Sequence, residues 1–117
     1  MTTTYPGGRK PAALERKVSD RPLFSLGQLV ATPGALETME KFQTLPLTLI
    51  RRHVRGDFGD LCAADQEENW LAIEHGFRVF SAYELTRLDS GRIETEKLWV
   101  ITECDRSVTT VLCPSEY

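Results

Sequence analysis

The last third of the chain alternates between apolar and polar positions. In RVFSAYEL, Val79, Ser81, Tyr83 and Leu85 interleave with Phe80, Ala82 and Glu84; in KLWVITE, Leu98, Val100 and Thr102 interleave with Trp99, Ile101 and Glu103. A period of two places alternate side chains on opposite faces and predicts two strands, each with one face turned to a core. Between them Asp89-Ser90-Gly91-Arg92 predicts a hairpin, because glycine takes the positive φ that such a turn requires. Residues 104–107, CDRS, predict the next turn, and Val108 to Cys113 a last strand stopped by Pro114. Three strands joined in this way form an antiparallel meander.

Upstream the period changes. The segment LFSLGQLVA puts Phe24, Leu26, Gln28 and Val30 on one side and Ser25, Gly27, Leu29 and Ala31 on the other, a short strand weakened at Gly27. Thr32-Pro33 then supplies an N-cap followed by proline at the first helical position. Leu36, Met39 and Phe42 define the apolar stripe of a helix over about 33 to 42. A second helix starts at Thr44-Leu45-Pro46, with Leu47, Ile50 and Val54 inward, Arg51, Arg52 and Arg55 complementing its C-terminal dipole, and Gly56 as its stop. After GDFGD comes a third helix, Ala63 to His75, carrying Trp70 and Ile73 and ended by Gly76. The predicted fold is α+β: three short helices packed on one face of a three- or four-stranded antiparallel sheet, the strand at 24–31 being the optional fourth. One domain over 23–117 follows a basic, flexible tail over 1–22.

Charge sharpens that division. The 117 residues carry 14 Lys and Arg against 17 Asp and Glu, a net charge of -3. Residues 1–21 alone hold Arg9, Lys10, Arg16, Lys17 and Arg21 against Glu15 and Asp20, a net +3 that leaves -6 for the rest. Pro6, Gly7, Gly8 and Pro11 interrupt the basic part, which has too little apolar surface to offset its ordering entropy. No stretch approaches the roughly 20 apolar residues of a membrane helix, and the N-terminus lacks the apolar region of a secretory signal. The expectation is a cytoplasmic protein without a membrane partner. Cys62, Cys104 and Cys113 form no CxxC pair and are odd in number, so free thiols are expected rather than a metal cluster or a disulfide framework.

The candidate chemistry is sparse. His53, Asp57, Asp60, Asp65 and Asn69 lie close in sequence, and Asp65 and Asn69 share a helical face; with two loop carboxylates they suggest an oxygen-rich site for a hard cation. Their spacing departs from the calcium-loop pattern, and turn, cap and plug roles for Asp57, Phe58, Asp60 and Asp65 explain the same residues. His53 has the pKa range of a general base but no nucleophile beside it. Glu103, Asp105 and Arg106 mark a turn that either recognises a partner or serves its own backbone. Phosphate-loop, dinucleotide, zinc-protease and nucleophile-elbow signatures are all missing, so no catalytic residue, cofactor or metal is assigned.

The segments FSLGQLVATPGAL, RRHVRGDFGDL with Asp65 and Asn69, SAYEL and WVITECDRSVTTVLCPSEY resemble a family of small, uncharacterised plasmid-related proteins carried on bacterial plasmids and integrative elements. The resemblance spans 23–117 and rests most on Asp105-Arg106-Ser107, Thr109-Thr110, Pro114 and Tyr117; Phe58 stands where the family pattern has tryptophan. It implies an accessory protein of a mobile genetic element. The expected function is non-enzymatic protein-protein contact antagonising a host defence system, restriction or CRISPR interference, through Asp57, Asp60, Glu103, Asp105 and Arg106. One alternative is a nucleic-acid-binding factor using Arg9, Lys10, Arg16, Lys17, Arg51, Arg52 and Arg55. The other is a metal-dependent hydrolase using His53, Asp57 and Asp60, with Asp65 and Asn69 completing the metal set.

Overall fold

A computed structural model describes residues 18–117. The expected tail with Arg9, Lys10, Arg16 and Lys17 lies outside the described residues, apart from its last few positions. The elements are β1 (Gln28–Ala31), α1 (Pro33–Lys41), α2 (Pro46–Val54), α3 (Ala63–His75), β2 (Val79–Asp89), β3 (Arg92–Thr102), β4 (Val108–Leu112) and a closing 3-10 turn, Pro114–Glu116. The fold is α+β, as the change from helical to strand period predicts. The sheet order is β1-β4-β3-β2. β2, β3 and β4 form the antiparallel meander, whereas β1 joins as a fourth strand parallel to β4. That one parallel pair arises because three helices carry the chain from one edge of the sheet to the other before the meander returns to β1.

Each helix follows from its ends. Thr32 caps α1 by accepting the Ala35 N–H at 3.1 Å. The carboxylate of Glu116, from the far end of the chain, accepts the Gly34 N–H at 3.1 Å and the Thr32 hydroxyl at 2.5 Å. α3 has the expected bounds and stops at Gly76 in the left-handed region. The inward faces of α1 and α2 follow the periodicity at Met39, Ile50 and Val54, and at Phe42 just past the end of α1, but not at Leu36 and Leu47. Ala35 is buried in α1 while Leu36 is 51% exposed, and Leu49 and His53 are buried in α2 while Leu47 is 60% exposed. The sheet they meet selects which apolar residues at the margin of each stripe turn inward.

The main core joins Met39, Phe42, Leu49 and Ile50 to Tyr83, Leu98, Val100 and Val111, the latter four on the inner face of the sheet. A satellite core beside β2 holds Phe58, Ala72 and Val79 under Phe24 and Trp70, so Phe58 does plug the space between α2 and α3.

The first strand is shorter than its alternation suggests. Gly27 takes φ +66°, and a Cβ there would collide with the backbone carbonyls of Arg106 and Ser107, so the chain turns at Gly27 and pairs only from Gln28. In the hairpin Ser90 and Gly91 both have positive φ, +53° and +78°, as a type I′ turn requires, and a Cβ at Gly91 would meet nothing within 4 Å. Gly91→Ala is therefore expected to cost about 1 kcal/mol of backbone strain. Gly27→Ala should cost at least twice that, since the carbonyls must move as well; urea denaturation of the two variants measures the difference.

Candidate functional site

The most polar part of the interior is centred on His53, which the last turn of α2 carries into the core. His53, Ser81, Thr102 and Thr109 are all 0% exposed. Ser81, Thr102 and Thr109 occupy inner-face positions of β2, β3 and β4, and Thr102 pairs directly with Thr109. The His53 ring lies 2.6 Å from Ser81 Oγ through Nδ1 and 2.9 Å from Thr102 Oγ1 through Nε2. Thr102 Oγ1 lies 2.7 Å from Thr109 Oγ1, which donates to the Leu26 carbonyl at 2.7 Å.

Proton counting gives this chain a direction. A carbonyl only accepts, so the Thr109 hydroxyl is spent on Leu26, and the Thr102 hydroxyl must donate to Thr109. Thr102 then has only lone pairs left for the ring, so His53 donates from Nε2 and accepts from the Ser81 hydroxyl at Nδ1. The ring is neutral in this arrangement. Burial pushes its pKa down to about 3, with the nearby Arg106 guanidinium acting in the same direction. A base held this far below neutrality, surrounded by hydroxyls that are each already committed, is a strut rather than a proton-transfer group poised near pH 7.

The loop between α2 and α3 is equally occupied. Asp57 receives the Arg52 guanidinium at 2.6 and 3.2 Å and the Gly59 N–H at 3.2 Å. That bond is the main reason the Arg52 pKa is raised. Arg52 also stacks 4.5 Å over the ring of Tyr83, whose hydroxyl donates to the Asp57 carbonyl at 2.6 Å. Burial, above all, drives the Tyr83 pKa upward.

Asp60 and Asn69 work together along the outer edge of β2. Asn69 donates to the Phe80 carbonyl at 2.6 Å and accepts the Phe80 N–H at 3.0 Å, as a paired strand would. At Ala82 the 58–60 loop does the same with its backbone, and at Glu84 the N–H is taken by Asp60 Oδ2 at 2.9 Å. The edge is thereby closed over three successive outward positions.

The Glu103 turn is held in the same manner. Asp105 accepts the backbone N–H and hydroxyl of Ser107 at 3.0 and 2.6 Å, which lowers its pKa. Arg106, at φ +60°, donates to the carbonyls of Ala72, Phe77 and Glu103 at 3.0, 2.6 and 3.2 Å, locking the C-terminus of α3. Its guanidinium also lies 5.4 Å over the Phe24 ring. Glu103 pairs instead with Arg78 at 3.2 Å.

The structure therefore scatters the residues drawn together by the sequence. Among the described residues no three His, Cys, Asp or Glu side chains are grouped to hold a metal ion, and the set of Asp57, Asp60, Asp65 and Asn69 does not converge. Asp65 and Asn69 do share a helical face and line, with Glu68, a concavity of about 300 Å³, but Asp57 and Asp60 are bound elsewhere. Arg51 and Arg55 remain without a carboxylate partner among the described residues, while Arg52 is bound to Asp57. The three cysteines are free thiols, and no described helix is long and apolar enough to cross a membrane.

Sequence reasoning did not pick out Ser81, Thr102 and Thr109 as partners of His53. Their signal was polar residues at core-facing positions of three successive strands. It also left unread the aromatic face opposite the helices, where Phe80 and Trp99 pack edge-to-face at 5.0 Å and Trp99 and Tyr117 at 5.6 Å. With Arg78 and Ile101 they line a concavity of about 290 Å³.

A neutral buried histidine makes stability depend on pH with a definite sign. The unfolded chain takes up the proton below about pH 6.5, while the folded ring resists it to about 3. His53 therefore contributes its full stabilisation above pH 6.5 and loses it as pH falls, by roughly 1.4 kcal/mol per unit. Urea titrations should show the wild type losing about 2 kcal/mol between pH 7 and pH 5. His53→Gln should be less stable at pH 7 by about 3 kcal/mol and nearly flat over the same range. Equal slopes for the two proteins would contradict the assignment. No protein-family model, curated protein or solved structure matches the chain.

Proposed function

We propose that this protein acts by binding another protein rather than by chemistry. In the setting implied by the resemblance over 23–117, it would be an accessory factor of a mobile element that antagonises a host defence system such as restriction or CRISPR interference. The observation that carries the binding reading is the division of labour among side chains. His53, Asp57, Asp60, Asn69 and Arg106, the groups most suited to chemistry, are spent on internal hydrogen bonds, whereas large apolar groups stay at the surface. Leu29 and Leu47 line one groove between β1 and α2, and Phe80, Trp99 and Tyr117 line a second concavity on the outer sheet face, while Leu36, Leu45 and Phe77 are exposed as well. Apolar groups gathered as in these two patches mark contact surfaces.

Asp57, Asp60, Asp105 and Arg106 then support the contact by fixing the loops rather than by touching the partner. Affinity purification of the full chain from a host carrying the element, after nuclease treatment, tests the reading. One protein recovered in near-stoichiometric amount is the expected result. Recovery of nucleic acid alone, or a rise in melting temperature with a divalent cation that Asp57→Ala and Asp60→Ala abolish, would favour the two alternatives instead.

A further inference from the structure

The two edges of the sheet are treated oppositely. The β2 edge is closed by Asn69, the 58–60 loop and Asp60. The β1 edge is not. Gln28 and Thr32 send their N–H groups inward to the Ser107 and Val111 carbonyls, so in a parallel ladder the intervening Leu29 and Ala31 turn their N–H and C=O groups outward. Neither has a backbone partner among the described residues beyond that edge. Beside it, between β1 and α2, runs a groove of about 230 Å³ walled by Leu26, Leu29, Leu47 and Val54, with Arg51 and Arg55 in its lining and no acidic residue. That volume lies below the range of ordinary small-molecule pockets and suits one large apolar side chain.

We infer that the open edge of β1 takes an extended acidic segment of a partner protein as an additional strand, one apolar side chain entering the groove while a neighbouring carboxylate meets Arg51 and Arg55. Strand addition supplies main-chain hydrogen bonds to Leu29 and Ala31, and the pocket and the charges supply specificity. Charge decides the occupant. The chain's own N-terminal segment carries Arg9, Lys10, Arg16 and Lys17, of the same sign as the groove arginines. A second copy paired edge to edge about a two-fold axis would bring its own Arg51 and Arg55 up against these. An acidic strand satisfies both the open backbone and the two arginines. The inference rests on the protein-binding reading above and names its surface and the chemistry of the partner.

Selection from a display library of random linear ten-residue peptides against the full chain tests it. Enriched peptides should combine alternating apolar residues with at least one Asp or Glu, and a representative one should protect the Leu29 and Ala31 amides from hydrogen exchange. Its affinity should fall about tenfold or more for Arg51→Glu with Arg55→Glu, exposed or half-exposed positions that leave the core untouched. The same peptide with Lys in place of its acid should recover binding to that double variant. Leu29→Lys should abolish binding of the original acidic peptide.

No enrichment, enrichment indifferent to the arginine reversals, or exchange protection at Phe80 and Trp99 instead would overturn the inference. So would a dimer, seen by light scattering, in which the Leu29 amide is protected without peptide, since a second copy would then own the edge. The two readings separate cleanly. A purified native partner that binds the β1 variants undiminished but is lost with Trp99→Lys leaves protein contact standing and removes the β1 edge. Peptides that bind as described with no native partner recovered do the reverse.

Discussion

The structure depends on one imidazole with no charge. His53 is the point at which α2 is tied to the sheet, and the hydroxyl chain from Ser81 through the ring to Thr102, Thr109 and the Leu26 carbonyl crosses β2, β3 and β4 to reach the stretch that leads into β1. All four side chains are buried, so every proton on them must have an acceptor. The carbonyl at one end sets the direction of all the others. Such a chain also fixes register. Sliding β4 by one residue against β3 would turn Thr109 to the outer face and leave Thr102 and the Leu26 carbonyl unsatisfied in the core. The apolar contacts of Leu98, Val100 and Val111 supply most of the burial; the polar chain selects the arrangement.

The same economy runs through the rest of the fold. Buried donors and acceptors in this fold are matched to one another, and the loop carboxylates of Asp57, Asp60, Glu103 and Asp105 are spent on backbone N–H groups, on Ser107, on Arg52 or on Arg78. Among the described residues, what is left unmatched is backbone and apolar surface on one edge, and aromatic surface on the outer face of the sheet. The binding reading rests on these two surfaces. The closure of the β2 edge matters here because it shows that an exposed edge is not tolerated everywhere in this sheet. Asn69 imitates a strand there, and among the described residues nothing imitates one beside β1.

Local features were legible in the sequence because they are set by neighbours in the chain. Thr32-Pro33 starts α1, Gly76 ends α3, and Ser90-Gly91 turns the hairpin, each through backbone preferences that need no tertiary partner. The α+β class followed from the change of period. The inward faces of α1 and α2 were misread only at Leu36 and Leu47, because residues at the margin of an apolar stripe can turn either way and the sheet chooses between them. The parallel placement of β1 was hidden for a similar reason, as its partner lies some eighty residues away in β4. The His53 chain joins residues 28 and 49 positions apart, and no local pattern encodes such a meeting. Arg106 was visible as a charge in a turn, but its three carbonyl acceptors come from α3 and the two loops around it.

The central claim, that a neutral His53 is locked as one tautomer by a directed hydroxyl chain, is most directly tested by long-range proton-nitrogen correlation spectroscopy of the histidine side chains. The account predicts a His53 ring protonated at Nε2 and bare at Nδ1, with nitrogen shifts unchanged from pH 7 to pH 5. A His53 ring carrying its proton at Nδ1, or protonated at both nitrogens by pH 5, would contradict it.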